Sequence, residues 1–306
     1  MNEATGTSIK HAFLITAHSY FGQLEEIIGL LSAPNHFFFI NIDKKTKGGD
    51  VVMNVLKDKS PNVYFLEGSE RMEVSHGGYS QIECTLRLLH KAYDTNCDYY
   101  HLISGQDYPC RPGKEFDKFF EEHYGYSFMA IEDEDYHEKS LDKEYSRVMP
   151  WYIKDFPRRD IKLIDWGVKL FNLISKHFYL RKPIPNLWGG WNWFSWHKSL
   201  AMFVIQQQTD NPRFFKRFHH TLCGDELIFS TLFHGKEAEL KIINGDALRY
   251  INWTKKAEGR NQVGCPLILN EEEYEEIIRS GSFFCRKVHP EISKELLKLL
   301  RNNITQ

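Results

Sequence analysis

HAFLITAHSYFGQLEEIIGLLSAPNHFFFINID, the stretch from His11 to Asp43, carries the pattern that decides the fold. Its first part, His11–Ala17, is a short apolar run typical of a buried strand. Phe21–Leu31 has the apolar spacing of an amphipathic helix, and Phe37–Ile42 is a second apolar run. A strand, a helix and a second strand in this order favour an α/β architecture.

The same alternation continues along the chain. Val63–Phe65 is predicted as a third strand, Gln81–Tyr93 as a helix with one apolar stripe, and Tyr99–Ser104 as a fourth strand. Strands that alternate with helices predict a mostly parallel central sheet flanked by helices. In such sheets ligands bind beyond the carboxyl ends of the strands. Asp43 and Asp107 both fall at such ends, so we expect them near a ligand.

The second half of the chain has weaker patterns. Residues 132–165 are rich in charged and aromatic side chains without a clear period, so we expect an insertion or loop-rich subdomain that forms an acceptor wall or lid. No repeat or low-complexity linker divides the chain. This favours a single domain that comprises residues 1–306. Its nucleotide-binding half is expected at 9–130, and its acceptor-binding and catalytic half at 131–306. Further helices are predicted at Ile161–His177, Lys198–Gln208, Asp225–Phe233, Glu271–Ser280 and Glu291–Arg301.

The composition excludes two classes of protein. The 306 residues include 39 Lys and Arg against 41 Asp and Glu, which disfavours a nucleic-acid binder that needs a basic excess. Hydrophobic residues make up 42%, and with the small net charge this excludes a disordered chain. Aromatic residues reach 14%, which indicates either a large core or flat platforms for stacking sugars and bases.

The N-terminal residues and the cysteines indicate the cellular compartment of the protein. The first residues show no basic segment followed by an apolar one, so no secretory signal is expected. No apolar run is long enough to span a membrane. The six cysteines include no CxxC pair, so no zinc or redox motif is expected and all six are predicted to be reduced. We expect a cytoplasmic protein and leave open its peripheral association with the inner face of the membrane.

Two charged segments are candidates for catalysis or for diphosphate binding. Asp225 stands at a predicted helix start, where an N-cap role explains it. Glu226 is either a favourable charge for the helix dipole or a general base. Arg286 and Lys287 form either a solvated basic patch or the cationic part of a diphosphate site.

Glycine and tryptophan mark two other segments. Gly77 and Gly78 precede the predicted helix 81–93, and paired glycines can open a helix N-terminus to phosphate. Four of the seven tryptophans lie between Trp188 and Trp196. Core packing and sugar stacking both fit this tryptophan segment.

Eight segments, taken in order, resemble the core-2/I-branching enzyme family of glycosyltransferases, which includes β-1,6-N-acetylglucosaminyltransferases and peptide O-xylosyltransferases. The most specific segment is His101–Pro109, which contains a sequence similar to the family's Ser-Gly-x-Asp-x-Pro motif. The chain departs from the family pattern at His76, Gly190 and Gly224. The other similar segments are His11–His18, Ile40–Lys45, Val74–Ser80, Gly189–Phe194, Gly224–Glu226, Arg249–Trp253 and Phe283–Lys287.

The resemblance implies a GT-A-like fold and an inverting transfer from a UDP-sugar, with no cofactor and no bound metal. UDP-GlcNAc is the expected donor, followed by UDP-xylose or another hexose. Glu226 would be the general base. Arg286 or Arg260 would join Lys287 in neutralising the diphosphate. The expected acceptor is a growing polysaccharide or a lipid-linked oligosaccharide.

The resemblance also assigns binding roles. Asp43 would contact the nucleoside, and Asp107 would orient the donor or the acceptor. Trp188, Phe283 and Phe284 lie beside motifs that resemble sugar and diphosphate sites. The remaining candidates are His18, Gly77 and Gly78 for the donor, and Trp191, Trp193, Asp225 and Trp253 for the substrate.

Three alternatives remain open. A metal-dependent glycosyltransferase would hold Mg²⁺ or Mn²⁺ at Asp133 and Asp135, which otherwise form a solvated loop. A glycoside hydrolase needs two carboxylates roughly 5–9.5 Å apart. Because Asp225 and Glu226 are neighbours whose side chains diverge on a helix, a hydrolase would also require Asp107 or another carboxylate. A carbohydrate-binding protein without catalysis would have no need of Glu226.

Overall fold

The computed structural model describes residues 8–305 except 156–161, 179, 257–258 and 261–264. The described part contains two β-sheets surrounded by helices. The strands are β1 (His11–Ala17), β2 (His36–Ile42), β3 (Val63–Phe65), β4 (Tyr99–Ser104), β5 (Asp107–Pro109), β6 (Ser127–Ile131), β7 (Gly190–His197), β8 (Ile242–Asn244), β9 (Arg249–Ile251) and β10 (Phe284–Arg286). The helices are α1 (Phe21–Leu31), α2 (Gly49–Lys57), α3 (Tyr79–Tyr93), α4 (Gly113–Glu122), α5 (Glu134–Val148), α6 (Lys162–His177), α7 (Lys198–Asp210), α8 (Pro212–Arg217), α9 (Asp225–Phe233), α10 (Tyr274–Ser280) and α11 (Lys294–Thr305), with a 3-10 helix at Glu271–Glu273.

The main sheet has seven strands in the order β3-β2-β1-β4-β7-β6-β8. β1 is parallel to β2 and β4, β3 is parallel to β2, and β8 is parallel to β6. In this sheet β7 is antiparallel to both of its neighbours, β4 and β6. The prediction of an α/β fold with a mostly parallel sheet flanked by helices is therefore confirmed.

The main sheet is buried on both faces because its strands carry apolar side chains in both directions. In β1, Ala12 and Leu14 belong to the core formed with α3, α7 and α9. Phe13 and Ile15 belong to the opposite core, formed with α1, α2, α4 and α11. Successive side chains of a strand point to opposite faces, so the uninterrupted apolar runs of the sequence follow from this two-sided burial.

The small sheet has the order β5-β10-β9, and Arg249 fixes it to the main sheet. The Arg249 side chain is buried. Its Nη2 donates to the carbonyl of Leu102 in β4 at 2.6 Å and to that of Phe194 in β7 at 3.1 Å. Burial lowers the pKa of Arg249 to about 10, so the guanidinium stays charged at neutral pH. These hydrogen bonds tie the small sheet to two strands of the main one.

The prediction of a loop-rich segment at 132–165 is wrong, because Glu134–Val148 forms α5. Asp133 is the N-cap of this helix, and its side chain accepts a hydrogen bond from the Tyr136 amide at 2.8 Å. The helix has no apolar stripe from which it could be recognised. Its buried residues are mostly polar: Ser140, Glu144, Arg147 and Val148.

Other elements differ from the prediction mainly at their ends. The helix predicted at Gln81 begins at Tyr79, and the helix predicted at Glu271–Ser280 starts with one 3-10 turn before α10. The terminal helix begins three residues later than predicted, at Lys294, and ends four residues later, at Thr305. The tryptophan segment forms β7, which the sequence patterns do not identify as a strand. Ile161, the predicted start of α6, lies outside the described residues.

The main sheet takes strands from both sides of residue 130, since β4 pairs with β7. The assignment of nucleotide binding to 9–130 and of acceptor binding and catalysis to 131–306 stays a prediction. Among the described helices, none is long and apolar enough to cross a bilayer. All six cysteines are described, and each is a free thiol.

Candidate active site

A cavity of about 840 Å³, a size common for ligand sites, opens at the carboxyl edge of the main sheet. Its walls include the residues that directly follow β1, β2 and β4, as expected for parallel strands. Because β7 is antiparallel to β4, the first residues of β7 reach the same edge. The start of α9 and the end of β10 complete the cavity. Nine of the twelve predicted site residues line it: His18, Asp43, Trp191, Trp193, Asp225, Glu226, Trp253, Arg286 and Lys287.

Asp43 follows β2 and is buried at the cavity wall. Its Oδ1 accepts the Lys45 amide at 2.8 Å, and its Oδ2 accepts the Val74 amide at 3.1 Å. The Lys45 Nζ lies 3.9 Å from Asp43 Oδ2 and also lines the cavity. A carboxylate has about four acceptor positions, so Asp43 can hold its loop in place and still accept a hydrogen bond from a ligand.

Glu226 lies in the first turn of α9, with a side chain that is 41% exposed at the cavity. Arg147 of α5 donates from Nη2 to Glu226 Oε2 at 2.6 Å and from Nη1 to Glu144 Oε2 at 2.8 Å. Burial lowers the pKa of Arg147, but Glu226 and Glu144 outweigh it, so the pKa lies above the ordinary value. The arginine therefore stays charged and fixes the position of the Glu226 carboxylate.

Asp225 is the first residue of α9 and not its N-cap, so that prediction is wrong. Gly224 occupies the cap position without a side-chain hydrogen bond. Asp225 is buried at the cavity wall, where its Oδ2 accepts from Asn192 Nδ2 at 3.0 Å and its Oδ1 has no partner among the described residues. Burial, with a further contribution from the charge of Glu226, raises the pKa of Asp225 to about 7.

Arg286 is held on two sides before any ligand binds. Its Nη1 lies 3.1 Å from Asp107 Oδ2, and its guanidinium carbon lies 3.8 Å from the centre of the Trp193 ring. Burial lowers the pKa of Arg286 and Asp107 opposes this effect, so the side chain stays charged. Asp107 itself is fully buried and does not line the cavity. Asp107 therefore positions Arg286 from the protein interior and not from the cavity.

Lys287 presents the second cation. It lines the cavity, and its ammonium has no hydrogen bond or ion pair with the described part of the chain. Arg260, the alternative second cation, does not line the cavity. Its guanidinium is engaged by Glu272 and Glu273. The cavity therefore combines one constrained cation, Arg286, with one unpaired cation.

Trp191, Trp193 and Trp253 provide the tryptophan rings of the cavity wall. Arg286 covers one face of Trp193, so this ring orients the guanidinium. Trp253 is 48% exposed and offers an open aromatic surface. Aromatic faces of this kind suit the apolar faces of sugar rings.

Three aromatic residues that lie beside the motifs belong to the core and do not line the cavity. Trp188 is buried between two histidine rings, with ring-centre distances of 3.8 Å to His137 and 3.5 Å to His234. Phe283 and Phe284 are also buried. These residues therefore account for part of the high aromatic content as ordinary packing.

Gly77 and Gly78 do not line the cavity, and the start of α3 is already occupied by the chain's own carboxylate. Asp155 accepts the Ser80 amide at 3.2 Å and the Ser80 hydroxyl at 2.5 Å. A Cβ atom at Gly78 would lie 2.1 Å from Asp155 Oδ1, so a larger residue at position 78 would displace this carboxylate. The predicted phosphate contact of Gly77 and Gly78 stays a prediction without support from this geometry, because Asp155 occupies the helix end where an anion would bind.

Asp133 and Asp135 are exposed and lie outside the cavity. Within the described ranges, the one group of three closely placed metal-ligating side chains is His11, His36 and Asp117. There His36 Nε2 and Asp117 Oδ1 lie 2.7 Å apart, and both histidines stand at the amino ends of their strands. The Asp-x-Asp metal site thus has no support from the geometry of the cavity.

Four contributors to the site are not identified by the sequence patterns. Lys45 and Asn192 lie within recognised motifs, so their positions beside Asp43 and between two tryptophans were available as a signal. Arg147 and Asp155 act on partners 79 and 75 residues away along the chain. No local pattern reveals such contacts.

Comparisons with known proteins point in one direction. The family model described as Core-2/I-Branching enzyme matches residues 11–278. Xylosyltransferase sqv-6 of Caenorhabditis briggsae is 24% identical over 295 residues, which cover 90% of this chain and 34% of that protein. Xylosyltransferase 2 of Rattus norvegicus is 23% identical over 316 residues, which cover 97% of this chain and 34% of that protein. The chain thus spans about a third of the length of these curated relatives.

Among solved structures, the chain is similar to the crystal structure of mouse Xyloside xylosyltransferase 1 in its apo form. The TM-score is 0.39 at 9% sequence identity, and the match covers 90% of this chain and 96% of that chain.

The raised pKa of Asp225 predicts a pH-dependent stability. Its folded pKa of about 7 lies above the unfolded value, so burying this group costs little below about pH 4 and progressively more as the pH rises towards 7. In the Asp225→Asn variant this titration is absent. We expect the variant to gain roughly 2–4 kcal/mol in unfolding free energy relative to the parent between pH 4 and pH 8. Urea unfolding across this range measures the change.

Asp210→Asn, at an exposed aspartate, is the matched control and should give a difference that does not vary with pH. A constant offset for Asp225→Asn as well would contradict the raised pKa.

Proposed function

The chain belongs to the core-2/I-branching enzyme family of glycosyltransferases, and from this we propose that it is an inverting enzyme that moves a sugar from a UDP-sugar to a hydroxyl of a glycan acceptor. The observation that carries the proposal is one cavity in which the Glu226 carboxylate and the Arg286–Lys287 cations are lining groups. This is the combination of base and fixed positive charge that a transfer without a metal requires.

The proposed reaction is a single displacement. The acceptor hydroxyl oxygen forms a bond to the anomeric carbon while the bond from that carbon to the diphosphate oxygen breaks on the opposite side. Glu226 takes the hydroxyl proton. The leaving diphosphate carries the bond's electron pair, and Lys287 and Arg286 stabilise the developing negative charge. Arg147 keeps the base in position.

The donor is proposed by family. UDP-GlcNAc is the expected sugar nucleotide, and UDP-xylose is the first alternative because the relatives carry the name xylosyltransferase. Asp43 and His18 would contact the nucleoside side of the donor. Trp191 and Trp253 would pack on sugar faces. A panel of UDP-sugars, screened for binding and for slow hydrolysis, identifies the donor.

The acceptor is proposed to be a growing polysaccharide or a lipid-linked oligosaccharide. The enzyme would work in the cytoplasm and associate peripherally with the inner face of the membrane. Asp225 would serve the acceptor side, since its buried Oδ1 has no partner among the described residues and could bond a sugar hydroxyl.

The glycoside hydrolase alternative is weaker than transfer. Asp107, the candidate named for its second carboxylate, is buried behind Arg286 and does not line the cavity, whereas Asp43 and Asp225 do. Release of free sugar from a glycoside without any nucleotide donor would favour hydrolysis.

Glu226→Gln tests the base. Glutamine keeps an acceptor for Arg147 but cannot take the proton at neutral pH, so we expect the rate of transfer to fall by about 10²-fold or more while UDP affinity stays unchanged. Initial rates with each donor and calorimetric titration with UDP give the two quantities. Glu239→Gln, at an exposed glutamate, is the control. Near-normal turnover in Glu226→Gln would remove it from the role of base.

Lys287→Ala tests the diphosphate site. Loss of an unpaired ammonium should weaken UDP binding by roughly tenfold or more and leave the binding of uridine, which has no phosphate, unchanged. Isothermal titration with both ligands makes the comparison, and Lys294→Ala, at an exposed lysine, is the control. Equal UDP affinity in the variant and the parent would exclude Lys287 from the site.

Removal of divalent metal tests the metal-dependent alternative. If cations of the protein stabilise the leaving diphosphate, turnover should persist in excess EDTA, because no step depends on Mg²⁺ or Mn²⁺. Donor hydrolysis measured with EDTA, and again after Mn²⁺ is restored, provides the test. Activity that vanishes with the chelator and returns with Mn²⁺ would refute the metal-free mechanism. Asp133→Asn with Asp135→Asn would then locate the metal.

A further inference from the structure

The most apolar exposed surface of the described chain is concentrated on α6 and the residues that follow it. Eight large apolar side chains between residues 164 and 180 are exposed, whereas eleven others are spread over the rest of the described chain. Trp166, Leu173 and Phe178 are 64%, 67% and 66% exposed. Contiguous exposed apolar surface of this kind marks an interaction site. The eight residues, called here the α6 face, are Ile164, Trp166, Leu170, Phe171, Leu173, Ile174, Phe178 and Leu180.

The α6 face is amphipathic and is bordered by lysines. Trp166, Leu170 and Leu173 follow one another at spacings of four and three residues, which places them along one side of the helix. Lys169 and Lys176 are seven residues apart and form a row about 60–80° around the helix from Trp166 at 100° per residue. Both are exposed, and neither ammonium is paired with a described residue. The helix thus carries an apolar stripe with a cationic border.

The charge around this helix is complementary to an anionic surface. Residues 162–182 contain four Lys and the buried Arg181 against one Asp, although the whole chain has a net charge of −2. A second copy of the chain would carry the same positive charge on this face, which disfavours pairing of the two faces. Helices that lie in the interface of an anionic bilayer combine tryptophan, phenylalanine and leucine with lysine, and α6 has this composition.

The inner side of α6 is fixed to the protein. Asn172 exchanges two hydrogen bonds with the backbone of Trp151, at 2.6 and 3.0 Å, and Ser175 is buried. The Arg181 guanidinium lies 4.8 Å from the Trp151 ring centre and donates to the carbonyls of Pro150 and His220. The outer side can therefore enter a bilayer interface without unfolding these contacts.

The same contacts lead to the cavity. His220 directly precedes the segment 221–226, which contains Glu226, and the Leu222 amide donates to the carbonyl of Arg147 at 2.9 Å. The residues that hold the inner side of α6 are therefore continuous in the chain with the first turn of α9, which carries Glu226.

We propose that the α6 face binds the surface of a membrane that contains anionic lipids, with Trp166, Leu173 and Phe178 in the interface and Lys169 and Lys176 at the headgroups. This position would bring the sugar of a lipid-linked acceptor towards Glu226, a consequence that rests on the proposed function. The binding step itself needs neither donor nor acceptor.

Flotation with extruded vesicles tests the proposal. We expect the whole chain to bind vesicles of phosphatidylcholine with 30% phosphatidylglycerol, and to bind pure phosphatidylcholine at least tenfold more weakly. The triple variant Trp166→Ser, Leu173→Ser, Phe178→Ser should lose binding to anionic vesicles by tenfold or more. Its altered side chains are exposed, so circular dichroism and UDP affinity should match the parent. Val51→Ser, Met202→Ser, Ile243→Ser, at exposed apolar residues elsewhere, is the matched control and should bind normally.

A second variant separates charge from apolar contact. Lys169→Gln with Lys176→Gln should weaken binding to anionic vesicles and abolish much of its dependence on salt. Two flotation results would overturn the proposal: no binding of the parent to anionic vesicles, or equal binding by the parent and the triple variant. Light scattering that shows a dimer for the parent and a monomer for the triple variant would also overturn it. The last result would assign the face to self-association. Because flotation is measured without UDP-sugar, a failed transfer assay leaves its outcome intact, and failed flotation leaves the roles of Glu226 and Lys287 intact.

Discussion

The buried carboxylate of Asp107 is the constraint on which the organisation of the site depends. It accepts the Ser104 amide and hydroxyl at 2.8 and 2.6 Å, which closes the turn after β4, and it pairs with Arg286 of β10. Arg286 in turn lies on Trp193 of β7. One charge therefore links the main sheet, the small sheet and the cavity wall. A buried ion pair of this kind strongly penalises removal of either partner, because the other is left without compensation.

The sequence patterns predict the fold where interactions are local. The apolar runs of β1, β2 and β4 and the amphipathic period of α1 are properties of consecutive residues, so the α/β architecture follows from them. The cavity is predictable for the same reason, since carboxyl ends of parallel strands must meet at one edge. Asp43 and Glu226 are found there because Asp43 directly follows β2 and Glu226 lies in the first turn of α9, both of which the sequence identifies.

The parts that sequence reasoning misses depend on contacts distant in the chain or on polar burial. α5 buries Glu144 and Arg147 instead of an apolar stripe, so its helical period does not appear in hydrophobicity. Asp107 is recognised as part of a motif, but only the pairing of β5 with β10 shows that it lies opposite Arg286. The high aromatic content likewise divides between core and cavity by position in the fold, as Trp188 and Trp191 show.

Asp155 at the start of α3 has a consequence for competition between anions. A carboxylate tethered within hydrogen-bonding distance of Ser80 has a high effective concentration, in the millimolar range or above for a flexible tether. Free phosphate or sulfate would have to displace this intramolecular ligand, and would gain little at that helix end. Dissolved anions that compete with a diphosphate should therefore act beside Arg286 and Lys287 in the cavity, and not at the start of α3.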